Sequence, residues 1–301
     1  MQIKRFDIRL RDSVLLEKAL SNTKFINDER TTYFDIKDGV VNIKYKIFDK
    51  YDGVVAGFST RYGGVSREHL SSMNLSFSRG DDYSNVVENH RRFAGAVGYD
   101  VNNLVFSDQI HDTNIKIVSK EDAGKGFIKE SDIVGVDGLI TACKGIPLMT
   151  FYADCVPLYV YDPIKNIIGL AHSGWKGTVS RIGYKLVNKL KEEYGSQPGD
   201  LVCAIGPSIC VDCYEVSSDV AEQFSAVYGE EFIDKILYKK DEQKYQLNLH
   251  EACRRNFLLA GVAYDNIAMP DICTCCNKEL LFSHRATNGK RGNLAAVMML
   301  K

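Results

Sequence analysis

Apolar and polar residues alternate along this chain in two rhythms, and the change between them falls near Gly53. Residues 1–50 set charged against apolar positions in stretches such as IKRFDIRL and TTYFDIKDGVVNIKYKIF, the period-two pattern of half-buried strands. They read as a β-rich lead-in to the same domain as the rest. From residue 51 onward, short apolar runs are broken by glycine loops. VVAGFST runs into RYGGVS, whose Gly63-Gly64 pair marks a tight turn. IPLMTFYA, VPLYVYDP and NIIGLAH are rich in β-branched and aromatic residues and predict buried strands, as do LVCAIGPS and the closing runs LLFSHR and LAAVMML.

Helical spacing appears in four places. SNVVENHRRFAGAVGYD sets Val86, His90, Phe93 and Val97 on one face. TVSRIGYKLVNKLKEEYG does the same with Val179, Ile182, Leu186 and Leu190, and Thr178 reads as its N-cap. A helix from about Ser218 to Tyr228 and another over NLHEACRRNFLLAGV complete the set. Strands and helices mix without strict alternation, which predicts an α+β fold with a large mixed sheet rather than a doubly wound one.

With 301 residues, 45% of them hydrophobic and 26% charged, the chain has ample material for a core. A formal net charge of −1 gives no basic face for nucleic acid and none for a membrane surface. MQIKRFDIRLRD carries no apolar signal core, and no apolar run reaches the roughly 18 residues of a membrane span. The expectation is a cytoplasmic protein, monomeric or homodimeric. Nine cysteines in a reducing compartment then argue for metal binding, nucleophilic chemistry or packing rather than disulfides.

Three residues carry the chemistry: His111 in FSDQIHDTN, Cys155 in TFYADCVPLYVYDP and His172 in IIGLAHSGWKGT. Taken singly, each reads as readily as a turn or core residue. Together they lie where strands give way to loops, and two imidazoles with one thiolate make a zinc site with an open fourth position. Asp137 in GVDGLIT and Asp154 are candidate acceptors for an imidazole N–H, though an aspartate before glycine also caps turns. The Ser173–Thr178 loop with Lys176 offers a helix-start anion site, and Arg61 and Arg285 are further phosphate candidates. Cys273, Cys275 and Cys276 lack a clear Cys-x-x-Cys partner for the Cys210–Cys213 pair, so a zinc ribbon is not expected. His69, His90 and His250 read as surface or half-buried helix residues.

STRYGGVS, MNLSFSRGDD, SDQIH, VDGLIT, ADCVPLYVYDP, LAHSGWKGT, AIGPSIC with CYEV, and ICT with LFSHR occur in an order that resembles the laccase-domain family. That family is also called polyphenol oxidase, peptidoglycan editing factor or YfiH-type purine nucleoside phosphorylase. The resemblance runs from about residue 53 to the C-terminus. It implies an α/β/β/α-layered fold like that of toxin deamidases, with zinc on His111, Cys155 and His172. It further implies phosphorolysis of adenosine, inosine, guanosine and methylthioadenosine, with inorganic phosphate as co-substrate, and deamination of adenosine. Two features depart from the family pattern. This chain reads Arg291-Gly292-Asn293 where many relatives carry Gly-Arg, and Cys275 and Cys276 are additions.

Other chemistries fit the same donors. A copper-dependent polyphenol oxidase would use two histidines and a cysteine as a trigonal copper site, and copper could occupy it in vitro. Six histidines without a His-x-His pair are too few for a multicopper centre. A metal-free cysteine hydrolase or deamidase would use Cys155 as nucleophile with His172 or His111 as base. The editing-factor name points to peptidoglycan precursors, and a binding protein with a purely structural zinc is the non-enzymatic reading.

Overall fold

A computed structural model describes residues 10–301. Two six-stranded mixed sheets stack face to face. The first runs Thr32–Lys37, Val40–Tyr45, Val54–Ser59, Leu294–Leu300, Leu148–Tyr152, Val105–Phe106, antiparallel except for its last pair. The second runs Ile267–Ala268, Val202–Ile205, Val156–Asp162, Ile167–Ser173, Gly138–Thr141, Ile115–Ile117, antiparallel in its middle and parallel at both edges. A small antiparallel sheet of Glu215–Ser217, Lys244–Leu247 and Leu237–Lys239 lies apart from them.

Burial on both faces explains why the central strands read as unbroken apolar runs. Along Leu294–Leu300, Leu294, Ala296, Met298 and Leu300 enter the core between the sheets with Phe58, Tyr159 and Leu170. Ala295, Val297 and Met299 face the opposite way, onto Phe93 and Val97 of the helix Tyr83–Val97. Beyond the second sheet, Leu158 and Val160 meet Leu186 and Leu190 of the helix Ile182–Tyr194 and Phe257 of Leu249–Leu259. The layers are therefore helix, sheet, sheet, helix, as expected. Each fully buried side chain of Leu or Phe size contributes about 1.5–3 kcal/mol.

Three local expectations change. Within the lead-in, residues 3–9 fall outside the described part, and Leu10–Ser21 is a helix, not a strand. Its VLLEKAL stretch consists mostly of strong helix formers, which outweigh the charged–apolar alternation. The rest of the β-rich lead-in does contain strands: Thr32–Lys37 and Val40–Tyr45 pair antiparallel, and the second pairs with Val54–Ser59. The helix expected from Thr178 is two helices, Trp175–Val179 and Ile182–Tyr194, broken at Arg181, whose φ is +61°. Thr178 therefore lies inside the first turn rather than capping it; its hydroxyl donates to the Gly174 carbonyl at 2.8 Å. Finally, LLFSHR forms no strand. Leu280, Leu281 and Phe282 are buried in a loop, followed by the short helix His284–Thr287 capped by Ser283.

Candidate metal centre and active site

The loops at one end of the second sheet bring the predicted ligands together. Cys155 immediately precedes Val156–Asp162, and His172 is the penultimate residue of the adjoining strand. Val156 pairs with Ser173, so one further step of register sets Cys155 beside Gly174. Asp137 immediately precedes Gly138–Thr141, and His111 sits in the loop leading to Ile115–Ile117.

The donor atoms of His111, Cys155 and His172 all lie within 4.8 Å of one another. Cys155 Sγ is 4.0 Å from His111 Nε2, and the two imidazole rings stand perpendicular with centroids 4.8 Å apart. Sulfur and nitrogen bound to one tetrahedral zinc are separated by about 3.6 Å, so these donors fit the ion with small adjustments. His172 Nδ1 donates to Asp137 Oδ1 at 2.8 Å, which leaves Nε2 for a metal. Gly174 makes the close approach possible. A Cβ there would lie 2.9 Å from His111 Cδ2 and 3.3 Å from Cys155 Sγ.

Asp137 is fully buried and holds more than one ligand. Its carboxylate also accepts the main-chain N–H groups of Ile110, His111 and Asp112 at 3.0, 3.1 and 3.0 Å. Burial would raise its pKa, but His172 and these amides outweigh that and hold it below the usual carboxylate range. His111 has φ +64° and Asp154 has φ +89°, left-handed values that cost non-glycine residues energy and cluster at functional sites. Without a metal, Cys155 and His172 shift each other's titration. Burial pushes the thiol up, yet His172 and then His111 bring it down to about 6. Burial likewise opposes charge on His172, while Cys155 and Asp137 raise it to about 9.

A cavity of about 830 Å³ opens over these residues. Phe77, Phe106, Phe151, Trp175 and Tyr214 form its apolar walls, and Arg79, Arg285 and Arg291 bring positive charge. Gln109 ties the His111 loop to the first sheet, accepting the Phe151 N–H at 2.6 Å and donating to the Phe151 carbonyl at 2.8 Å.

The remaining candidates fall differently. Asp154 serves no imidazole; it accepts from Thr274 Oγ1 at 2.6 Å and from the Arg285 N–H at 2.7 Å. Arg61 lies outside the cavity lining and donates to the carbonyls of Ser71 and Lys278 at 2.9 and 2.8 Å. Lys176 is also outside it, exposed, with Nζ 5.7 Å from the Trp175 ring, and the helix behind it has five residues, too short for an anion site. Arg285 reaches the cavity but directs Nη1 and Nη2 to the carbonyls of Cys213 and Glu215. Sequence reasoning passed over Arg79 and His284, which line the cavity, and treated Arg291 only as a displaced residue. Arg291 is buried, and its Nε has no hydrogen-bond partner among the described residues. Burial, reinforced by the charge of Arg79, holds Arg291 down to about 10. His90 and His250 are buried rather than superficial. The cysteines need a larger correction: Cys273 and Cys276 do form a Cys-x-x-Cys pair, and it faces Cys210 and Cys213.

Known proteins are similar to this chain in sequence and fold. The model of the multi-copper polyphenol oxidoreductase laccase family matches residues 55–301. Purine nucleoside phosphorylase YlmD of Bacillus subtilis is 36% identical over 249 residues, spanning 82% of this chain and 89% of that protein. An adenosine deaminase from an unknown prokaryotic organism is 32% identical over 233 residues, spanning 77% of this chain and 88% of that one. The crystal structure of the hypothetical protein YfiH of Bacillus licheniformis aligns with a TM-score of 0.84 at 31% identity, covering 91% of this chain and 100% of the other. With the family model matching residues 55–301 and the YfiH fold aligning over 91% of the chain, this chain belongs to the multi-copper polyphenol oxidoreductase laccase family.

Proposed function

We propose that this protein is a zinc-dependent purine nucleoside enzyme. It would cleave adenosine, inosine, guanosine and methylthioadenosine with phosphate to give free base and sugar 1-phosphate, and would convert adenosine and water to inosine and ammonia. The observation that carries this reading is the His111–Cys155–His172 donor set at an 830 Å³ cavity with aromatic walls and arginines. Names of relatives such as YlmD and the adenosine deaminase support the same substrate class.

A zinc held by these three residues supplies a Lewis acid that polarises a substrate group and eases deprotonation of water. The chain's own residues do the rest. Phe77, Phe106 and Phe151 offer faces on which a purine ring stacks. Arg79 and Arg291 hold phosphate, and the Nε of Arg291, without a partner among the described residues, gives that anion a buried donor. Asp137 fixes the His172 ring, and Asp108, Asp154 and His284 line the cavity outside the ligand set as candidates for proton transfer.

The test is direct. Purified protein of known zinc content, given adenosine and phosphate, should yield adenine, ribose 1-phosphate and inosine. Cys155→Ala should lower both rates at least about 100-fold. Absence of either product from fully zinc-loaded protein overturns the proposal.

A further inference from the structure

We propose that Cys210, Cys213, Cys273 and Cys276 form a second metal site, a closed tetrathiolate that takes one zinc ion and has a structural role. The two Cys-x-x-Cys pairs come from loops far apart in sequence, one after the strand Val202–Ile205 and one after residue 272. A parallel bridge between Ser208 and Cys273, and the Thr274 N–H donating to the Ser208 carbonyl at 3.1 Å, bring the loops side by side.

All four sulfurs lie within 4.8 Å of one another. Cys210 and Cys276 are 3.9 Å apart, and Cys213 and Cys276 are 3.4 Å apart. Zinc–sulfur bonds of about 2.3 Å in a tetrahedron set sulfurs about 3.8 Å apart. A disulfide would need about 2.05 Å, and a cluster of several irons would spread its four sulfurs wider. The N–H groups of Cys210 and Cys276 both donate to Cys273 Sγ, at 3.2 and 3.4 Å, as suits a thiolate. Binding converts four thiols and one zinc ion to the tetrathiolate and releases four protons to solvent. No fourth-position vacancy remains, so the site closes rather than catalyses.

Its placement gives it a task. Thr274 donates to the Asp154 carboxylate at 2.6 Å, the Ile209 N–H donates to the Asp154 carbonyl at 3.0 Å, and Asp154 precedes Cys155. Tyr214, next to Cys213, lines the cavity, and Arg285 there donates to the Cys213 carbonyl. One ion would pin this cavity wall and the left-handed turn that presents Cys155.

Metal content measured by mass spectrometry on two proteins decides the matter without any turnover assay. Wild-type protein should hold about two zinc ions per chain. The variant His111→Ala, Cys155→Ala, His172→Ala, which lacks the catalytic donors but keeps all four of these cysteines, should hold about one. Cobalt exchanged into that variant should show the intense thiolate charge-transfer bands of an all-sulfur site. Adding Cys213→Ser and Cys276→Ser should remove the remaining ion. A metal-free triple variant with wild type holding at most one zinc, a Cys213–Cys276 disulfide in the isolated protein, or iron in place of zinc would each overturn the assignment.

Discussion

Asp137 Oδ1 lies 2.8 Å from His172 Nδ1, and the same carboxylate gathers three successive main-chain N–H groups from the His111 loop. One buried side chain therefore sets both imidazoles of the candidate metal centre. Asparagine at this position keeps the shape but points an NH₂ group at donors. Asp137→Asn should weaken zinc binding by about 10- to 100-fold, read by competition with a chromophoric chelator. An unchanged affinity would show that the ligand loops hold themselves.

Gly174 tests the centre by sterics alone. Its φ of −74° and ψ of 176° suit any residue, so alanine adds no backbone strain. The new methyl group would press on His111 and Cys155. Gly174→Ala should keep its far-ultraviolet circular dichroism, lose about 1–3 kcal/mol of stability to overpacking, and bind zinc at least about tenfold more weakly. Full zinc occupancy with wild-type affinity would contradict the crowding.

Arg79 and Arg291 should separate the two reactions. Replacing either with alanine should raise the KM for phosphate at least about tenfold, the loss of one charge-assisted contact. Adenosine deamination, which uses water, should change less than about threefold, within the range of an indirect packing effect. Equal losses in both reactions would place the arginines on the nucleoside rather than on phosphate.

His90 predicts an acid-sensitive fold. It is fully buried, its Nε2–H donates to the Leu75 carbonyl at 2.8 Å, and its ring stacks on Phe77. Burial pushes it from 6.5 down to about 4. Between those values the unfolded chain takes up a proton that folded His90 refuses. Stability is therefore intact above pH 6.5 and falls as pH is lowered towards 4, by about 1.4 kcal/mol per pH unit. Urea melts at pH 7 and pH 5 should differ by about 2 kcal/mol more for wild type than for His90→Phe. Parallel pH dependences would mean that this ring is not the source.

The candidate metal centre was legible because Cys155 and His172 sit at strand ends and His111 in a loop between strands, where runs of apolar sequence stop and polar donors begin. The layered fold was legible for a related reason: strands buried on both faces cannot hide their composition. Arg79 and Arg291 were not legible, since a loop arginine in sequence looks the same whether it faces solvent or a cavity. Nor was the four-cysteine group. Cys275 sits inside the second Cys-x-x-Cys pair and masks its spacing, and the halves meet through the pairing of Ser208 with Cys273. The helix at residues 10–21 was lost to a misleading period, and the break at Arg181 to a backbone angle that no residue pattern announces.

The strand Leu294–Leu300 lies between Val54–Ser59 and Leu148–Tyr152 in the first sheet. During synthesis those two neighbours emerge from the ribosome long before the strand that must join them. Until residues 294–300 leave the exit tunnel, the nascent sheet stays split down its middle, with two unpaired edges and a bare apolar face that a chaperone would recognise.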